Sequence, residues 1–141
     1  MPDPLAAPDF EVIAVDHLKA DGTVTAVVDA DQISTKLRRP WQAGDVAIRV
    51  RRIGGLQTEG SSARLKRGRL QVECFAPTET VAFDGCAKAV ASLLGLEGTT
   101  SDDDVVTAAR QDLGITNSPD PDSDAERFLA GVVLYGHRTA G

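Results

Sequence analysis

Aromatic residues are scarce in this 141-residue chain, which has one Trp, one Tyr and four Phe. So few rings argue against base-stacking platforms and wide aromatic pockets. Histidine is held to two residues, and two cysteines, Cys74 and Cys86, do not make a disulfide framework. Reduced thiols in a reducing compartment are the expectation. No apolar run approaches the ~20 residues of a membrane span. The opening MPDPLAAPDF has neither the basic nor the apolar region of a secretory leader. What is present is ordinary: 42% hydrophobic and 26% charged residues, the composition of a soluble globular protein. The length suits one domain, able to bury about two-thirds of its unfolded surface.

The net charge of -6 conceals an uneven distribution. From Lys36 to Arg69, ten basic residues face only Asp45 and Glu59, leaving +8. From Glu97 to Glu126, nine acids face only Arg110, leaving -8. Such halves can pair within the fold, steer one copy onto another, or simply be solvated.

Residues 1–8 carry three prolines and read as a flexible lead-in. A single domain is expected over 9–138, with 139–141 as a tail. Asp9 can cap a helix from Phe10 to about Lys19. Two short strands are predicted next, Thr23–Val28 and Gln32–Leu37, because both are β-branched and bounded by turn residues. Val46–Ile53 alternates cleanly, with Val46, Ile48 and Val50 on one face and Arg49 and Arg51 on the other. The stretch 56–68 is polar and glycine-bearing, so a loop is expected there. Arg69–Ala76 alternates again, and pairing with 46–53 would bring Glu73 near Arg49 or Arg51.

Thr78 and Glu79 open the strongest helical pattern, about 79–96, with Ala82, Cys86, Ala89, Leu93 and Leu96 in one stripe. The last third reads as a hairpin of Asp104–Asp112 and Arg127–His137 around a polar, proline-bearing loop. The second of these strands is apolar on both faces, so it is central in a sheet or buried by a neighbouring subunit. The fold class is therefore α+β: a mostly antiparallel sheet, the 79–96 helix on one face, a short N-terminal helix and a C-terminal β-hairpin.

Chemical motifs are thin. Neither His17 nor His137 sits in a Ser or Cys motif, and Cys74 and Cys86 fall on apolar faces where they pack as small hydrophobes. Asp120, Asp122 and Asp124 imitate the first half of a calcium loop, but Ala125 and Gly131 stand where Gly and Glu are needed. Gly54, Gly55 and Gly60 are not followed by the Gly-Lys-Ser/Thr of a phosphate loop. No catalytic residue, metal site or cofactor is expected. The basic middle raises nucleic acid, although a pI of 4.8 and the missing helix-turn-helix signature weigh against a dedicated binder.

Three runs carry a resemblance: ISTKL followed by RRPW, then VAIRVRRIGG, then RLQVECFAPTETVAFDGCAKAVASLLGL. Within them stand Val50-Arg51-Arg52-Ile53-Gly54-Gly55 and Val72-Glu73-Cys74-Phe75-Ala76-Pro77-Thr78. From Ile33 to Leu96 the chain resembles the tail terminator proteins of long-tailed, siphovirus-type bacteriophages, most nearly those of actinobacterial phages. The acidic insert at 117–126 is outside that likeness.

The resemblance implies a structural virion protein and no enzyme. Its copies would form a hexameric ring on the head-proximal end of the tail tube and stop tube polymerisation. The ring would then offer a docking surface to head-completion proteins. Its partners would be its own copies, the major tail tube protein and the connector proteins, while DNA passes through without specific binding. Its place would be the virion's head–tail junction, and the host cytoplasm during assembly. Opposite charges suit a head-to-tail contact that closes into a ring. Arg49, Arg51, Arg64, Lys66, Arg67 and Arg69 are the expected subunit or tube contacts, with Asp102, Asp103 and Asp104 as their complement. The alternatives are another neck component, such as a head-completion or stopper protein, and a small nucleic-acid-binding accessory protein.

Overall fold

Helix α1 (Phe10–Ala20) starts where the Asp9 carboxylate accepts a hydrogen bond from the Val12 amide at 3.2 Å, satisfying an amide that has no partner inside the helix. The computed structural model to which it belongs describes residues 8–36, 45–53, 57–58, 65–101, 104–119 and 125–138. Phe10, Ile13, Ala14 and Leu18 line the buried side of α1.

The stretch 23–28, expected as a strand, is the short helix α2 (Gly22–Thr25) and the turn after it. Asp21 caps this helix, accepting from the Thr23 amide at 2.9 Å and its hydroxyl at 2.7 Å. Val24 and Val28 lie one helical turn apart and enter the core together. A good cap and a shared buried face prevail over β-branched composition, which is a weak preference in itself. The expected strand at 32–37 shrinks to β1 (Ile33–Ser34) after a 3-10 turn at Ala30–Gln32. Leu37 lies outside the described residues.

Strands β2 (Ala47–Arg52) and β3 (Gln57–Thr58) follow one another along one edge of β4 (Lys66–Ala76). The loop expected over 56–68 therefore includes β3 and the first three residues of β4. A continuing ladder satisfies backbone groups that a loop would leave to water. After β4, the Thr78 hydroxyl accepts from the Val81 amide and opens α3 (Glu79–Leu94). Then come β5 (Thr99–Ser101), β6 (Asp104–Asn117) and β7 (Glu126–Arg138). The strand β5 was not anticipated, and the hairpin is longer than expected. Register shifts after Val106, Gln111 and Leu113 let β6 run on through Gly114 to Asn117, each absorbing surplus chain without ending the ladder.

The strand order is β1-β2-β4-β7-β6-β5, with β3 beside β4. The β1–β2 pair is parallel and the other pairings are antiparallel. The class is α+β. With β4 on one side and β6 on the other, β7 is central, which accounts for its apolar run.

The core forms on one face of the sheet. Leu70, Val72 and Cys74 of β4 and Ala130, Val132 and Leu134 of β7 meet Phe10, Leu18, Cys86, Ala89 and Leu93 of the helices. Phe10 lies directly over Gly68. A Cβ there would stand 2.3 Å from the ring, so only glycine permits this approach.

Candidate functional site

The other face of β4 carries Arg67, Arg69, Gln71, Glu73 and Phe75, because alternate residues of a strand point to opposite sides. Glu73 is fully buried on that face, although no helix among the described residues covers it. Its cover is made of side chains. The register sets Arg49 opposite Glu73 and Arg51 opposite Gln71 on β2, and Arg127 of β7 opposite Phe75.

Arg49 Nη2 donates to Glu73 Oε2 at 2.7 Å, and Arg51 Nη2 donates to Oε1 at 2.8 Å. Gln71 Nε2 adds a bond to Oε1 at 2.7 Å, and Arg127 Nη1 reaches Oε2 at 3.4 Å. The guanidiniums of Arg49 and Arg127 also stand 5.3 and 5.9 Å from the centre of the Phe75 ring, an attractive placement for a cation. Burial pushes the Glu73 carboxyl up. The bonds from Arg49 and Gln71, the Arg49 charge and the Arg51 bond outweigh it, and the group is held below its ordinary value of 4.5. Three guanidiniums around one carboxylate leave two positive charges in excess in this cluster.

Of the residues singled out in the sequence, Arg49 and Arg51 thus meet on Glu73. Arg69 pairs with Asp112 of β6, and Asp104 lies 3.4 Å from Arg138 of β7. These four engage partners inside their own chain, the first of the three uses open to such a charge distribution. Arg51 and Arg69 keep 44% and 50% of their side chains exposed, so both remain accessible from outside. Lys66 and Arg67 stand half-buried at the start of β4, opposite Gly136 and Tyr135. Arg64, Asp102 and Asp103 lie outside the described residues, as do Asp120, Asp122 and Asp124.

Sequence reasoning missed Arg127, Gln71 and Phe75 as parts of this cluster. The available signal was the acid itself: a Glu in the middle of a strand flanked by arginine-bearing strands needs more than one partner if it is buried. It also missed a second feature. At the start of α3, Glu79, Thr80, Val81, Phe83 and Asp84 join Phe128 of β7 around an open cleft of about 530 Å³. Phe83 is 49% exposed, and its ring meets that of Phe128 edge to face at 5.5 Å.

Cys74 and Cys86 are fully buried, and burial pushes both thiols up to about 12. They are protonated at neutral pH, the unreactive form. His17 Nε2 lies 3.0 Å from the Ser92 carbonyl and links α1 to α3. Among the described residues no group of three or more His, Cys, Asp or Glu could hold a metal ion, and no helix is long and apolar enough to cross a membrane.

No protein-family model matches the chain, and no curated protein matches it. Its fold is shared with a chain in the structure described as "Virion of native gene transfer agent (GTA) particle". The TM-score is 0.65 at 12% identity, over 88% of this chain and 91% of that one.

Proposed function

We propose that this chain is a structural subunit of a phage-like virion, and within it the tail terminator. Copies ring the head-proximal end of the tail tube, stop its polymerisation and present a docking surface to head-completion proteins, while DNA passes through the central hole. The observation that carries this reading is the fold held in common with a chain of a gene transfer agent virion over nearly the full length of both. It meets the likeness to tail terminators at 33–96, a stretch that holds β1 to β4 and α3. An open, polar sheet face and enclosed, protonated thiols suit a protein that works by contact. No bond is made or broken in this function, and no cofactor takes part.

The test is to add the purified chain to polymerising tail-tube subunits and score tube length and end caps by electron microscopy. A terminator limits growth and decorates one end. Tubes of unchanged length without caps would overturn the reading, and binding to a portal complex instead would assign the chain to the head-side stoppers. The nucleic-acid alternative draws on the positive excess around Glu73. Duplex affinity that falls steeply with salt, as counterion release requires, would favour it.

A further inference from the structure

Two exposed patches with rims of opposite charge lie toward opposite ends of β4. The first is the end of β2, where Ile53 is 44% exposed beside the exposed Arg51 and Arg52. The Glu11 carboxylate accepts from the Arg52 amide at 3.2 Å and ties the first turn of α1 to this end. The second is the cleft at the start of α3. Phe83 and Phe128 supply its apolar floor, and its rim stays acidic by one charge, because Glu79 and Asp84 stand against Lys88, which pairs with Asp84 at 3.0 Å. One patch is apolar with a basic rim; the other is apolar with an acidic rim.

We propose that the Ile53 end of one copy seats in the Phe83–Phe128 cleft of a second copy, with Arg52 facing Glu79. A single molecule cannot make this contact with itself. The Ile53 amide bonds to the Arg69 carbonyl, whereas the cleft adjoins the far end of β4, where Phe128 pairs with Cys74 and α3 follows Ala76. At about 3.3 Å per residue, the run from Arg69 to Cys74 separates the two by about 17 Å along the strand. The contact joins different surfaces of the two copies, so it repeats head to tail and closes into a ring when the rotation allows. Large apolar side chains buried at the centre of a charged rim are the arrangement that carries binding energy at protein interfaces. This inference rests on the reading of the chain as a ring subunit and names the surfaces that make the ring.

The test is a cross-link in the full-length chain carrying both Ile53→Cys and Phe83→Cys. The native thiols are enclosed and protonated, so mild oxidation reports the new pair. A ladder of linked species from the double variant, absent from either single variant, is expected. Dimers from Phe83→Cys alone would mean that like surfaces meet, and would overturn the proposal. So would the lack of any ladder at the highest soluble concentration. A charge exchange gives an independent reading that needs no new thiol. Arg52→Glu and Glu79→Arg should each weaken self-association about tenfold, and together restore most of it. Failure to restore it counts against the pairing. The two failures stay distinct: capped tubes without the 53–83 link sink this contact alone, and the link without capped tubes sinks the terminator reading alone.

Discussion

Alternate residues of β4 build the two faces of the sheet, and different forces hold them. On the helix side, Leu70, Val72 and Cys74 are enclosed by other apolar groups, and burial there is non-directional and scales with area. On the other side Glu73 is enclosed as completely, yet by three arginines and a glutamine whose stems and head groups form its cover. A core can lose a methylene and partly relax around the loss. A buried carboxylate has no such latitude, because each partner removed leaves charge out of water. One strand thus carries a tolerant face and an exacting one.

Glu73→Gln tests the exacting face and has the largest expected effect. It leaves three guanidiniums crowded around a neutral amide and should cost about 3–5 kcal/mol, measured by urea denaturation. A loss under 1 kcal/mol would mean that solvent already screens the cluster. Acid offers the same test without a mutation. The folded carboxyl titrates below its ordinary value of 4.5, so its contribution is complete above that pH and disappears as pH falls through the lowered folded value. The acid limb of the wild-type stability curve should flatten in Glu73→Gln.

Gly85→Ala probes the tolerant face. The new Cβ would stand 2.5 Å from Cys74 Sγ, an overlap expected to cost about 1–3 kcal/mol. Its other neighbours, Cys74 Cβ and Val27 Cγ1, stand at 3.7 and 3.8 Å, ordinary contact distances. Adding Cys74→Ala removes the obstructing sulfur. The double variant should then match or exceed Cys74→Ala alone, because Ala is the better helix former by about 1 kcal/mol. If the two penalties simply add, the core around α3 is more rigid than an apolar face should be.

The helix side was largely legible in the sequence because its signals are periodic. The stripe from Ala82 to Leu93 and the alternation in 46–53 and 69–76 reappear as α3, β2 and β4. Thr23–Val28 was misread because its fate depends on an Asp21 cap and a core that local composition does not reveal. The open face was only half legible. Alternation places Arg49, Arg51 and Glu73 on one side, but the contact was expected to be an ordinary cross-strand pair. Its burial depends on Arg127, 54 residues along the chain from Glu73, and on β7 pairing with β4 in one particular register. The Phe83–Phe128 cleft is non-local in the same way.

The smallest expected effect sharpens the comparison by supplying an ion pair without burial. Arg110 and Glu97 form a salt bridge in which both side chains are about half exposed or more. Hydrogen bonding from Arg110, then from the Ala109 amide, and the Arg110 charge hold the Glu97 carboxyl below its ordinary value. As with Glu73, that contribution exists above pH 4.5 and fades as pH falls through the lowered value. Water and salt screen this pair, however, and exposed pairs contribute little. Glu97→Gln also keeps an oxygen to accept from the Ala109 amide. Its denaturation midpoint and acid limb should therefore coincide with the wild type within experimental scatter, while Glu73→Gln displaces both. Equal displacement by the two substitutions would mean that enclosure does not distinguish these carboxylates, and that the open face of the sheet is held no more tightly than any charged surface.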